Sequence, residues 1–313
     1  MTELAVVILA HRDPTHLKRL IGALDGLPIV LHVDAKTPPG VHAEMTSGLP
    51  KQVVLSPRLR TSLASWSLVE AEVLGVRMAL THTRAEHIAV LSGADYPLAS
   101  VPAILADLRA WQGRSLIWNV PLPFSPWDTP RHKDGGLWRV QRRFLTWRDQ
   151  VLVVQNIPMR WPYPRQVPAL YELRASSQWK IYSREHARSL IDILDRLPEV
   201  RSFWRTTLVP EESCIASVLS SAALLGSSRL EPSLAHPWFI EWPEGVAYHP
   251  LWLEEAAFTR LHDARLRPTT AFEESGGQEN EDAERRFVKL FARKLSTDHS
   301  GTLLDRIDRE LRT

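Results

Sequence analysis

The sequence predicts an α/β fold with a mostly parallel sheet and helices on both faces. Short, continuous apolar runs are the first sign, because a strand buried on both faces cannot alternate with polar residues. Segments of helical period between those runs are the second, since strand–helix alternation builds parallel sheets. The third is composition: 44% hydrophobic and 24% charged residues, the balance of a chain with a substantial core. A length of 313 residues suits one large α/β domain. We read 1–313 as a single domain with three parts: a first half, 1–119; a variable loop region, 120–175; and a second half, 176–313.

Leu4–Ala10 (LAVVILA) reads as a buried parallel strand that ends at His11-Arg12-Asp13-Pro14. Pro14 suits the first turn of a helix, with Leu17, Leu20, Ile21 and Leu24 at helical spacing. Pro28–Asp34 is a second strand and Val53–Leu55 a short third. Ser65–His82 is the clearest helix: Val69, Val73, Val76 and Leu80 line one side, and Ser65 or Ser67 is placed to cap it. His87–Ser92 is a strand broken by Gly93, Pro102–Trp111 a helix and Ser115–Asn119 a strand. Ligands of such sheets sit beyond the carboxyl ends of the strands, which singles out His11, Asp34 and Asp95.

From Val120 to about Ala175 the texture changes. Pro, Trp and Arg crowd together, and Arg131, Lys133, Arg139, Arg142, Arg143 and Arg148 outnumber the acids. Long loops on a rigid scaffold are the usual source of specificity, and a solvated basic face is the alternative. Regular structure then returns. Gln178–Tyr182 is a strand, Ser183 caps a helix running to Arg196, and Pro210–Ser221 (PEESCIASVLSS) is a helix opened by Pro and two glutamates. Trp238–Trp242 is a strand, Thr270–Glu284 an acidic segment without a core pattern, and Gly301–Leu311 an amphipathic helix.

Several classes are disfavoured. A net charge of +2 gives no footprint for nucleic acid. Cys214 is the single cysteine, so no intramolecular disulfide forms, in keeping with a reducing compartment. Glycine-rich phosphate cradles and the Gly-x-Ser-x-Gly elbow are missing. No two aspartates lie two apart and no His-x-x-x-His pattern occurs, so no metal-ligating residues are assigned. A diphosphate would then fall to cationic side chains. Arg293 and Lys294, after an apolar triplet, are candidates, though paired cations near a tail are common. Glu211 and Glu212 are candidate bases, but acids in a first helical turn are routine.

These residues stand in a recognisable order. Ala5–His11 (AVVILAH), His32–Lys36 (HVDAK), Ala64–Ser67 (ASWS) running on to Glu70-Ala71, and Leu91–Leu98 (LSGADYPL) come first. Ser177–Arg184 (SQWKIYSR), Pro210–Leu219 (PEESCIASVL) and Phe291–Lys294 (FARK) follow. Together they resemble the successive motifs of the Core-2/I-branching β-1,6-N-acetylglucosaminyltransferase family, which is similar to the peptide O-xylosyltransferases. The resemblance runs from about residue 4 to about residue 310. It implies a GT-A-type, Rossmann-like fold and an inverting transfer of N-acetylglucosamine or xylose from a UDP-sugar to a glycan or glycoconjugate hydroxyl. No cofactor and no divalent metal are expected.

By the same resemblance Glu212 matches the catalytic base, with Glu211 its neighbour. Lys294 matches the residue on the donor diphosphate, with Arg293 beside it. Asp34 matches the acid near the uridine, Ala10 and His11 end the strand beside that nucleoside, and Asp95 lies where the donor sugar should be. Trp242 matches an aromatic near the acceptor. For the second diphosphate-binding arginine, Arg260, Arg265 and Arg267 all stay open. The family's secreted animal members carry disulfides and an N-terminal anchor, and this chain shows neither pattern. A compact bacterial relative is therefore expected, cytoplasmic and with peripheral contact at the inner membrane surface allowed. The competing readings are a non-catalytic UDP-sugar or glycan-binding protein on the same fold, and a scaffold protein whose basic, Trp-rich loops bind a partner or an anionic membrane surface.

Overall fold

The computed structural model describes residues 3–245, 247, 249–270 and 286–313. Four parallel strands form the centre: β1 (Leu4–Ala10), β2 (Ile29–Val33), β3 (Val53–Leu55) and β4 (His87–Ser92), in the order β4-β1-β2-β3. The strand Lys180–Ser183 adds to the outer edge of β4 in the antiparallel sense, with Lys180 opposite Val90. The chain is thus mixed α/β with a parallel-rich sheet.

Every residue of β1 is buried. Alternate side chains serve opposite layers, as the pleat requires. Leu4, Val6, Ile8 and Ala10 join the core under the helices Pro14–Ala23 and Thr297–Glu310; Ala5, Val7 and Leu9 join the core under Trp66–His82 and Arg184–Arg196. Burying each branched side chain contributes roughly 1.5–3 kcal/mol. The Trp66–His82 helix lies hard against β1 because Gly75 has no side chain. A Cβ there would stand 2.3 Å from Val7 Cγ1.

Several sequence expectations match to within a residue or two. The Pro14 helix runs to Ala23 and begins at Asp13, whose carboxylate accepts from the His16 amide at 3.0 Å. The Arg184–Arg196 helix is capped by Ser183 as expected. Cys214 is buried. The tail helix begins earlier than expected, at Thr297.

Others need correction. Ser65 stands at the N-cap of its helix but its hydroxyl accepts from the Val151 amide instead, and Ser67 accepts from the Ser62 amide. Ser115–Asn119 is not a strand. Leu116 makes a single bridge to Ile181, and the extended segment is Asn119–Pro121, paired with Arg174–Ser176. Trp238–Ile240 is a strand, but Trp242 lies beyond it. Pro210–Ser221 is not one helix: a 3₁₀ turn over Pro210–Glu212 precedes an α-helix over Cys214–Leu219, with Ser213 between them at φ −140°. The acidic segment expected over Thr270–Glu284 lies, apart from Thr270, outside the described residues.

A small second sheet fixes the site. The antiparallel pair Asp95–Pro97 and Phe291–Arg293 sets Arg293 opposite Asp95, and Trp238–Ile240 runs parallel on the other side of Phe291–Arg293. This pairing carries a segment near the end of the chain to the carboxyl end of β4.

Candidate active site

The carboxyl ends of β1 and β4 open onto a cleft lined by His11, Arg12, Ser92, Trp252, Arg293 and Lys294, among others. Three cations gather here. Lys294 Nζ stands 3.9 Å from the centre of the Trp252 ring, and the Arg12 guanidinium 5.1 Å from it. His299 stacks on the same indole at 5.0 Å. Arg293 is joined to Lys294 through a cis peptide and lies over Trp179 at 3.9 Å. Partial burial, then Arg12 and Arg293, lower the Lys294 pKa. A bound polyanion would reverse that, because opposite charge favours the protonated amine.

Arg293 is held from behind. It donates to Asp95 at 2.8 Å and to the Ser92 hydroxyl. Asp95 is fully buried and also accepts from the Ser92 amide and hydroxyl, each at 2.9 Å, and from the Trp238 indole at 3.3 Å. Its carboxylate is therefore engaged within the protein, and its influence on a ligand runs through Arg293.

Asp34 ends β2. Burial would raise its pKa, but bonds from the Thr61 hydroxyl and from the Lys36 and Thr61 amides outweigh burial and hold it below the usual range. The Asp34 amide bonds to the Ala10 carbonyl at 2.9 Å, which ties β2 to the end of β1 beside exposed His11. The Arg58–Ser65 loop then crosses from Asp34 to the second acidic element. Its Ala64 amide donates to Glu211 Oε1 at 2.9 Å, and its Ala64 carbonyl accepts from the Val209 amide at 3.2 Å.

The two glutamates have different surroundings. Glu211 is buried, its Oε2 has no hydrogen-bond partner among the described residues, and burial followed by the Glu212 charge pushes its pKa up to about 8. Glu212 is about one-third exposed and its Oε2 accepts from Arg139 at 2.9 Å. Arg139 is in turn stacked over Trp127 at 4.3 Å. Burial raises the Glu212 pKa too, but Arg139 opposes the rise. Glu211 is thus the carboxyl that favours its protonated form at neutral pH, whereas Glu212 has a guanidinium partner that favours its charged form.

Behind them lies a buried ion pair. Lys180 Nζ, without solvent exposure, donates to Glu72 at 3.2 Å and to the Glu211 carbonyl at 3.4 Å, and the Tyr182 hydroxyl donates to Glu72. Lys180 adjoins Trp179, on which Arg293 lies. Two chains of contacts thus converge on Glu211: Asp34–Thr61–Ala64–Glu211, and Arg293–Trp179–Lys180–Glu211.

A model of the Core-2/I-Branching enzyme family matches residues 7–260. The chain belongs to the Core-2/I-Branching enzyme family. That family implies glycosyltransferase activity, with a sugar donor and a glycan acceptor. The matched span includes Asp34, Asp95, Glu212 and Trp242 and stops short of Arg293 and Lys294. No curated protein sequence matches the chain. Among solved structures it is similar to HddC from Yersinia pseudotuberculosis, at 13% identity and a TM-score of 0.28, covering 64% of this chain and 86% of that one. It is also similar to a Bacillus anthracis protein named as a candidate glucose-1-phosphate thymidylyltransferase and solved with a sucrose. That likeness has 10% identity and a TM-score of 0.26, over 62% of this chain and 75% of the other. At these TM-scores neither likeness carries an argument about activity.

Trp242 is more than half exposed, two residues past a strand whose last residue, Ile240, sits opposite Arg293. None of the three arginines left open lines the cleft. Arg260 bonds Glu241, Arg265 bonds Asp107 on the helix Val101–Arg109, and Arg267 lies near Asp263. Arg12 lines the cleft. Sequence reasoning also missed Arg139 as the partner of Glu212, and Trp252. Arg139 sits on the short helix Leu137–Gln141 and Trp252 on a loop, both remote in sequence from the residues they meet, and only the quoted motif around Trp179 carried a signal.

Proposed function

We propose that this chain is an inverting, GT-A-type glycosyltransferase that draws its sugar from a UDP-sugar and holds the diphosphate with its own cations. The observation that carries the reading is the Arg12–Arg293–Lys294 cluster at the carboxyl edge of the sheet, with Arg293 lying over Trp179, next to the Lys180 that donates to the Glu211 carbonyl. Cations fixed in a cleft stabilise charge where it develops on a leaving group.

In this reading Glu212 takes the proton of the acceptor hydroxyl. The hydroxyl oxygen bonds to the anomeric carbon as the bond from that carbon to the diphosphate breaks on the opposite face. UDP leaves against Arg12, Arg293 and Lys294. Arg139 keeps one Glu212 oxygen occupied and favours the charged carboxylate against the effect of burial. Asp34 orders the nucleoside end with His11 and Ala10, and Asp95 sets Arg293 against the donor. Trp242 offers an exposed ring to an acceptor sugar. N-acetylglucosamine and xylose are the donor sugars to try first.

Glu212→Gln is expected to keep UDP binding by calorimetry and to lower transfer ~10²–10⁴-fold. Normal turnover by that variant would remove Glu212 from the mechanism. Transfer that disappears in EDTA and returns with Mn²⁺ would remove the cation-only reading. Binding of UDP-sugar with no release of UDP would instead favour a non-catalytic binder on the same fold.

A further inference from the structure

The segment from Arg142 to Pro164 stands apart from the buried cores. It carries four arginines, one acid and no lysine. Its backbone forms three short antiparallel ladders: Arg142–Phe144 with Arg160–Pro164, Thr146–Trp147 with Gln150–Val151, and Val153–Val154 with Ile157–Pro158. The ladders meet at Leu145, Leu152 and Met159. Leu145 donates to the Met159 carbonyl at 2.9 Å, Met159 to that of Leu152 at 2.8 Å, and Leu152 to that of Leu145 at 2.9 Å, closing a ring. Two arms end in turns with successive left-handed residues, Arg148-Asp149 (φ 48° and 62°) and Gln155-Asn156 (φ 49° and 62°), the signature of type I′ hairpins.

The backbone is ordered, yet the side chains face water. Trp147 is 67% and Tyr163 72% exposed, and Val153, Val154, Ile157 and Trp161 are each more than half exposed. Clustered apolar exposure of this kind marks an interaction surface. Charge identifies the partner. The one acid, Asp149, is taken by Arg205 in a two-bond pair at 2.7 and 2.9 Å. Arg143, Arg148 and Arg160 are exposed, with no further acid in the segment to offset them. Exposed Trp and Tyr with arginine is the composition of the membrane–water interface. A neutral glycan would need the rings but not the arginines. A second copy of this face would set like charges against each other.

We infer that the Arg142–Pro164 ribbon is a docking surface for an anionic lipid bilayer. The aromatic and branched side chains enter the interfacial layer, and the arginines pair with lipid phosphates, which match the guanidinium fork. The ribbon is also bonded to the loop beside the cleft. The Ser67 amide donates to the Asp149 carbonyl at 3.0 Å, the Val151 amide to Ser65 Oγ at 2.9 Å and the Gln150 side chain to the Arg60 carbonyl at 3.1 Å. Docking therefore fixes the Arg58–Ser65 loop relative to the bilayer.

The test is co-sedimentation of the full chain with vesicles of phosphatidylcholine and phosphatidylglycerol in equal parts, against pure phosphatidylcholine. Wild type should bind the mixed vesicles, bind the neutral ones far more weakly and release in salt. R143Q/R148Q should weaken partitioning roughly 30-fold, and W147S/Y163S about ten-fold or more, both with an unaltered unfolding midpoint. Wild type that stays in solution with mixed vesicles overturns the inference, as do two folded variants that bind as well as wild type. A wild-type dimer in sedimentation velocity that W147S/Y163S returns to monomer also overturns it and gives the face to a second copy.

Discussion

The cleft edge and the Arg142–Pro164 ribbon solve opposite problems. At the cleft edge, charged groups are buried and held by partners: Lys180 by Glu72, Asp95 by Arg293, and Asp34 by the neutral donors of Thr61. In the ribbon, apolar groups are exposed on a backbone that closes on its own hydrogen bonds. The difference teaches where side-chain identity matters to folding. A buried charge with one partner removed is left uncompensated. An exposed indole loses nothing in the folded state that it keeps in the unfolded one.

The sharpest break in that comparison is at Lys180. Replacing Lys180 with Met, or Glu72 with Gln, should lower unfolding free energy in urea by about 3–5 kcal/mol. Removing both charges with K180M/E72M should cost less than either single change, because no lone ion remains. If the single variants unfold like wild type, the buried pair does not organise the floor of the cleft.

Glu211 sharpens the same contrast through pH. Its carboxyl ionises near pH 8 in the folded chain against an ordinary 4.5, so the folded state holds the proton more tightly than the unfolded state. Stability from this group is fully present below about pH 4.5, falls as pH rises, and is gone above about pH 8. The slope in between is at most about 1.4 kcal/mol per pH unit. Glu211→Gln, a standing mimic of the protonated acid, should flatten the dependence in that window. Equal slopes for variant and wild type would show that Glu211 ionises normally.

How much of this was legible in the sequence follows from range. Val53–Leu55 and His87–Ser92 match the structure to the residue, and the Arg184–Arg196 helix with its Ser183 cap does too. Each is written in local period and local capping chemistry. Pro210–Ser221 broke its expected helix at Ser213, φ −140°, after a 3₁₀ turn, entered from left-handed Val209, in which Glu211 accepts from the Ala64 amide. That partner lies in a loop nearly 150 residues earlier and leaves no mark on spacing. The same holds for the cleft: Asp34, Glu212 and Lys294 were named through motif order, whereas Arg12, Arg139 and Trp252 meet them only through folding. The ribbon was read as long basic loops, and its two I′ turns fell on Arg-Asp and Gln-Asn rather than on the glycine pairs that announce such turns.

The smallest expected effect tests the ribbon's side of the comparison. Its fold rests on three backbone ladders, the Leu145–Leu152–Met159 ring and the Arg205–Asp149 pair. None of these uses the Trp147 or Tyr163 side chain. Each of the single changes Trp147→Ser and Tyr163→Ser should therefore move unfolding free energy by no more than about ±0.5 kcal/mol, as surface substitutions do. A loss above about 2 kcal/mol from either would mean that the ring packs against the protein after all, because burying a large aromatic is the only contribution at that position with such a magnitude. The two faces would then not be opposites, and the exposed aromatics would belong to the core rather than to a partner.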